Sequence, residues 1–194
     1  MSDDLTLDGL VFPDSTDPVV RVFAKERIRI AEKFDPLVVE LEQYGLDSRD
    51  IVTLKDAADL LLTAHAQYHR AAAILGEAMM ERRRAQLRRD VSKARAEQKV
   101  ADLIRNDPEV RSVSPQAAQQ ARAQNRAVHE FKVAAGCQQL YLLSSGYLER
   151  IQAVADSLRD AKKDLSEYTR TMRDSAFVGD PGLPAGPTLS ELPL

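Results

Sequence analysis

The stretch from Ile51 to Asp107 most constrains the fold, because it contains no proline. Apolar or seam-compatible residues recur there at spacings of three and four over four heptads: Ile51, Leu54, Ala58, Leu61, His65, Tyr68, Ala72, Leu75 and Met79. This spacing is typical of a helix that packs along another long helix. The stretch therefore predicts a helix over about 50–105, roughly 80 Å long at 1.5 Å per residue, with Asp50 or Asp47 as its cap.

Two further helices are predicted on either side of this one. The first covers about 19–44 and places one apolar stripe along a face: Phe23, Ile30, Phe34, Leu37, Leu41 and Tyr44. Pro36 lacks a backbone donor and restricts Asp35, so we expect a kink or a fresh start at that point. Gly45 is well placed to end the helix.

The third helix is predicted over about 115–174. Asn106, Asp107 and Pro108 end the preceding helix, and Ser114 and Pro115 suit the cap and first position of a new one. An apolar stripe opens at Val128, Phe131 and Ala135. It continues at heptad spacing through Tyr147, Ile151, Val154, Leu158, Ala161, Leu165 and Tyr168.

These patterns predict an all-α fold. Two long helices joined by a short break bury their stripes best by folding back antiparallel, as a coiled-coil-like hairpin with an additional N-terminal helix. The helical domain is expected over 19–174. Residues 1–18 are acidic and contain two prolines, and residues 175–194 are rich in proline and glycine, so disordered termini are expected. A thin hairpin of this kind favours a homo-oligomer.

Composition agrees with helices and limits the function classes. The chain of 194 residues has 8 glycines, no tryptophan and 5% aromatic residues. Cys137 is the only cysteine, so no intrachain disulfide can form, which suits a reducing cytoplasm. No stretch approaches the ~20 apolar residues of a membrane span, and no signal peptide is evident. A cytoplasmic location follows as an expectation, in the host cytoplasm if the protein is phage-encoded.

Charge is unevenly distributed although the net charge is only −3. Residues 82–99 contain eight basic side chains against two acidic ones: Arg82, Arg83, Arg84, Arg88, Arg89, Lys93, Arg95 and Lys99. Helical spacing places Arg84, Arg88 and Arg95 near one face. Guanidinium groups bind phosphate oxygens through paired donors, so this segment is a candidate nucleic-acid site. The alternative is a solvated helix face whose arginines pair with carboxylates.

Other candidate sites carry weaker signals. His65 and His69 have the i, i+4 spacing of a metal-binding pair, but no third ligand is evident nearby. Cys137 lies in a stretch of small apolar residues and is interpreted as a packing residue. No catalytic constellation and no glycine-rich phosphate loop occur in the sequence. The sequence therefore favours a protein that is not an enzyme and that needs no cofactor or metal.

The order of these segments resembles the phage recombination mediators of the UvsY type. The resemblance covers roughly 68–172 and rests on a long basic helix ending in AEQKVADLIR, a polar break, and the apolar helix QLYLLSSGYLERIQAVADSLRDAKKDL. It implies a helical oligomer that binds single-stranded DNA. The corresponding DNA-binding positions are Arg88, Arg89, Lys93, Arg95 and Lys99, with Arg82, Arg83 and Arg84 upstream. It also implies an oligomer interface on the last helix, at Leu142, Tyr147, Ile151, Val154, Leu158 and Leu165.

The functional hypothesis is therefore a non-enzymatic oligomer that binds single-stranded DNA and assists homologous recombination. The resemblance implies two protein partners, a recombinase and a single-strand-binding protein. The alternative hypothesis is a coiled-coil scaffold or assembly chaperone that does not bind nucleic acid.

Overall fold

A computed structural model describes residues 16–44, 51 and 53–178, without the side chains of 176–178. These residues form five α-helices and no strand, which confirms the all-α prediction: α1 (Pro18–Glu42), α2 (Leu54–Asn106), α3 (Pro108–Arg111), α4 (Gln116–Arg126) and α5 (Val128–Val178). The predictions for residues 1–15 and 179–194 lie outside this range. The flexible tail was predicted to begin too early, because α5 continues to Val178.

Side-chain caps determine where α1 and α2 begin. Val19 donates its backbone N–H to Asp17 Oδ1 at 2.9 Å, so α1 begins at Pro18. At α2, the backbone N–H of Thr53 bonds to Asp56 Oδ2 at 2.8 Å, and the backbone N–H of Asp56 bonds to Thr53 Oγ1 at 3.1 Å. This reciprocal pair is a capping box. It corrects the predicted start near Asp50. Asp47, Asp50 and the proposed stop at Gly45 lie outside the described residues.

Pro36 does not interrupt α1. The helix runs continuously from Pro18 to Glu42 with Pro36 inside it, so the predicted fresh start is wrong. Pro36 itself is exposed, while Phe34 and Val38 on either side are 1% and 2% exposed. The packing of these neighbours outweighs the loss of one backbone hydrogen bond.

The predicted third helix is divided at Ala127. α4 ends there and α5 begins at Val128, while a short α3 precedes both. Ser114 does not cap a helix, since α4 begins at Gln116 behind Pro115, which has no side-chain cap, and the Ser114–Pro115 peptide is cis. Ala127 is fully buried, so the break lies inside a packed cluster with Val100, Val110 and Ala123.

The chain comprises two compact units, residues 1–35 with 79–147 and residues 36–78 with 148–194. In the first unit, contacts place α1 parallel to α5: Arg27 Nη1 donates to Gln139 Oε1 at 3.4 Å, and Phe34 stacks on Tyr147 with ring centroids 5.5 Å apart. The Phe23 side chain lies against Gly136, where an added Cβ would overlap the ring.

In the second unit, carboxylates of α1 meet cations of the other two helices. Arg70 donates through Nε and Nη2 to both oxygens of Glu40, at 2.9 and 3.0 Å. Arg150 Nη2 donates to Glu42 Oε1 at 2.7 Å. The core of this unit consists of Val38, Leu41, Ala57, Ala64, Ala71, Ile74, Ala78, Ile151, Ala155, Leu158 and Leu165.

The buried face of α2 differs from the predicted seam by one residue. Leu54 and Met79 are 39% and 56% exposed, and His65 is exposed too. The buried positions instead repeat every seven residues on small side chains: Ala57, Ala64, Ala71, Ala78, Ala85 and Ser92. Small side chains let neighbouring helices approach closely, and the larger Leu and Tyr residues then cover the flanks. The α5 seam was predicted better, since Tyr147, Ile151, Leu158 and Leu165 are buried.

Candidate nucleic-acid interface

The basic segment 82–99 lies entirely on α2 within the first unit. Its eight cations divide into those held against α5, those in long surface ion pairs, and those with no carboxylate partner among the described residues. These three environments decide which of them can meet an external anion.

Arg82 and Arg89 are held against α5 by one aromatic side chain. Arg82 Nη2 donates to Tyr141 Oη at 3.1 Å and Nε donates to Ser145 Oγ at 3.3 Å. The Arg89 guanidinium lies 4.2 Å from the centre of the Tyr141 ring, within cation–π range. The hydrogen bonds with Arg82 and Ser145, and the charges of both arginines, lower the pKa of Tyr141. These two arginines therefore join α2 to α5.

The second set consists of cations with long or local ion pairs. Arg84 is 3.7 Å from Glu81, Arg88 is 3.8 Å from Glu26, and Lys93 is 4.0 Å from Glu97. The three basic side chains are 66%, 56% and 74% exposed. Exposed pairs at such distances contribute little and exchange readily with other anions. Glu81 is the exception among the carboxylates: it is buried, and its main partner is Arg29 at 3.0 Å.

The third set comprises Arg83, Arg95 and Lys99, which are exposed. None of them forms an ion pair with any carboxylate in the part of the chain that the structure describes. The spacing of four, seven and four residues places Arg84, Arg88, Arg95 and Lys99 on one side of α2, over about 22 Å. We call these four residues the basic row.

An open groove of about 550 Å³ lies beside the basic row, between α2 and α5. Three of the row's members line it, together with the apolar side chains of Val91 and Val133. The remaining lining residues are polar or small: Ser92, Gln98, Asp102, His129, Glu130 and Cys137. The volume lies in the range of sites for small ligands or parts of larger ones. Its walls combine phosphate-binding cations with an apolar surface.

The predicted oligomerisation residues mostly belong to the core of a single chain. Tyr147, Ile151, Leu158 and Leu165 are between 0% and 6% exposed, and Val154 is half-buried. Leu142 differs, with 57% of its surface exposed. Val128 and Phe131, predicted as part of the seam, are also exposed and lie on the same face of α5 as Leu142.

The weaker candidates do not form sites in the described residues. His65 and His69 are exposed with ring centroids 6.2 Å apart, and no group of three His, Cys, Asp or Glu residues could hold a metal ion there. Cys137 is buried, as expected of a packing residue. No helix in the described range has both the length and the apolar character to cross a membrane.

Sequence reasoning missed the role of Tyr141 and the groove. The i, i+7 spacing of Arg82 and Arg89 was a usable signal, because two cations on one helix row can share a single partner. The groove had no local signal, since its walls come from helices more than 25 residues apart in the sequence. Comparison of the chain with protein-family models, curated proteins and solved structures found no significant match.

Proposed function

We propose that this protein binds single-stranded nucleic acid along the basic row, and that it is not an enzyme. The observation that carries the proposal is that Arg95 and Lys99 are exposed without a carboxylate partner, in line with Arg84 and Arg88, which have only long surface pairs. A row of unmatched cations along a helix attracts a phosphate backbone through counterion release.

The groove favours a single strand over a duplex. A strand following the basic row could place an unstacked base against Val91 and Val133, whereas paired bases could not leave the stack at low cost. Contacts from this surface would be mainly to phosphate, with little sequence preference. The described residues contain no helix-turn-helix arrangement that would read a major groove.

The proposal includes oligomers and a role in homologous recombination. The exposed apolar face of Val128, Phe131 and Leu142 supports association, because such a face is costly to leave in water. Association would also bring several basic rows to one strand and raise the combined affinity. The recombination role follows from the resemblance to mediator proteins. Leu142→Glu should lower the mass found by sedimentation, whereas an unchanged mass would remove this face from the proposal.

The test is a titration of a fluorescent single-stranded oligonucleotide, followed by anisotropy at several salt concentrations. Replacing Arg88, Arg95 and Lys99 with Ala should weaken binding about tenfold or more at low salt and flatten the salt slope by roughly 2, since each phosphate contact contributes about 0.7. Helicity should not change.

A matched control exists on α5. Arg159, Lys163 and Arg170 have a similar four-and-seven spacing and are 56%, 73% and 78% exposed. Their triple Ala variant removes the same charge and should bind almost normally. Equal losses in the two variants would reduce the effect to net charge. No binding by the wild-type chain would leave the scaffold alternative.

A further inference from the structure

We propose that residues 1–15 of this chain occupy the groove between α2 and α5 and cover the basic row. The groove is open because α1 begins at Pro18, next to this point. The inference depends on the direction of the chain, on the charges of the two surfaces, and on reach.

The register of α1 against α5 directs the preceding residues to the groove. Asp17 Oδ2 lies 2.6 Å from Lys132 Nζ, a separation of 115 residues, and Arg27 meets Gln139 with a separation of 112. The two helices are therefore parallel with a nearly constant offset. At that offset, residues 14–18 are level with 129–133, where His129, Glu130 and Val133 line the groove.

The register against α2 leads to the same place. Arg88 meets Glu26, and Arg29 meets Glu81, so α1 runs antiparallel to α2. Residues before Pro18 are then level with the stretch of α2 beyond Arg88, where Arg95 and Lys99 lie. α1 supplies carboxylates to Arg88 and ends before it reaches the next two members of the row.

The composition of residues 1–15 is complementary to the groove. The segment contains four aspartates and no basic residue: Asp3, Asp4, Asp8 and Asp14. It also contains the apolar residues Leu5, Leu7, Leu10, Val11 and Phe12. The groove offers Arg88, Arg95 and Lys99 beside Val91 and Val133. An acidic and apolar segment can therefore match both parts of the surface.

The segment is also long enough. The groove residues on α2 extend from Arg88 to Asp102, which is about 21 Å along a helix. An extended chain covers that distance with roughly seven residues, so 15 residues suffice. The effective concentration of a tethered segment is high, which compensates for weak individual contacts. Residues 1–15 would then compete with nucleic acid for the row, a consequence that rests on the proposed function.

Cys137 provides a test that uses no nucleic acid. It is the chain's only cysteine, lies in the groove, and is 6% exposed. In the full chain, Asp3, Asp4, Asp8 and Asp14 are replaced with Asn, and the alkylation rate of Cys137 is followed with a neutral maleimide. Rates are compared at the high-pH plateau, where the thiol is fully ionised and the rate reports access alone. Release of the segment should raise the plateau rate about fivefold or more.

Two further variants decide the origin of any change. Replacing Glu149 and Glu167 with Gln, and Asp160 and Asp164 with Asn, removes the same charge from exposed positions of the other unit and should leave the rate unchanged. Arg95→Glu with Lys99→Glu should raise the plateau rate, although below the plateau added negative charge slows thiolate formation.

A plateau rate that changes by less than about twofold in both the Asn variant and the Glu variant would overturn the proposal. An equal rise in the charge-matched control would also overturn it. Accelerated alkylation in a chain that binds no oligonucleotide would retain the docked segment and refute the proposed function. Salt-dependent oligonucleotide binding without any change in alkylation would do the reverse.

Discussion

The two units of this protein treat similar charges in opposite ways. In the second unit, Glu40 and Glu42 of α1 bind Arg70 and Arg150 at hydrogen-bonding distance. In the first unit, the same helix reaches Arg88 only at 3.8 Å and ends before Arg95 and Lys99. The difference teaches that a run of arginines is a candidate anion site only where the fold fails to bring carboxylates to it.

The first way to break this comparison is to remove the packing that holds α1 in the first unit. Phe34 is 1% exposed and stacks on Tyr147. Phe34→Ala should lower the free energy of unfolding by about 3–5 kcal/mol, because it leaves a cavity in the core. Urea denaturation measures the change. Val22→Ala on the same helix, at a residue 58% exposed, is the control and should have a small effect.

A second test asks whether the alanine register of α2 runs through both units. Ala71 and Ala85 are 0% and 4% exposed, one in each unit. Ala71→Leu or Ala85→Leu should each destabilise the fold by about 1–3 kcal/mol through overpacking. Ala73→Leu and Ala94→Leu, at exposed positions of the same units, serve as controls. Thermal unfolding that ranks the exposed sites as more sensitive would contradict the observed seam.

The third prediction concerns the matched charges of the second unit. Hydrogen bonds from Arg70 and Tyr44, together with the charge of Arg70, lower the pKa of Glu40 to about 2. Since the folded-state pKa is depressed, the associated stability is present above the ordinary value of 4.5 and is lost as the pH falls toward 2. Arg70→Ala should return the pKa toward 4.5 in an NMR titration. A pKa near 2 in the variant would exclude Arg70 as its cause.

The smallest expected effect concerns the arginines held against α5. Arg82→Ala removes the hydrogen bond that contributes most to the lowered pKa of Tyr141, so this pKa should rise toward 10. Ultraviolet difference titration against Tyr141→Phe assigns the signal. Arg83→Ala, next along α2, should not change it. If Arg82→Ala weakens oligonucleotide binding as much as Arg95→Ala, the division of the basic segment into held and open cations is wrong.

Much of the fold could be predicted because helical periodicity is a local property. The absence of proline before Pro108 indicated α2, and the heptads from Tyr147 to Leu165 identified the buried face of α5. The break at Ala127 could not be predicted in this way. Its cause is the cluster that Val100 of α2 forms with Val110 and Ala123, residues brought together only by folding.

The candidate site was predictable as a segment but not as a surface. The eight basic residues are evident in the sequence, whereas their partners are remote from them. Tyr141 is 59 residues from Arg82, and Glu26 precedes Arg88 by more than 60. No spacing rule within one helix indicates which cation such a partner will meet.

The sequence alone determined the helical class, the extent of the long helices and the place where positive charge accumulates. These features depend on residues three to seven positions apart, which a helix places on one face whatever surrounds it. The tertiary structure alone decided that alanines rather than leucines form the α2 seam, and that Arg95 and Lys99 remain open. Both depend on how closely helices approach and where a neighbour ends, which are distances between segments far apart in the chain.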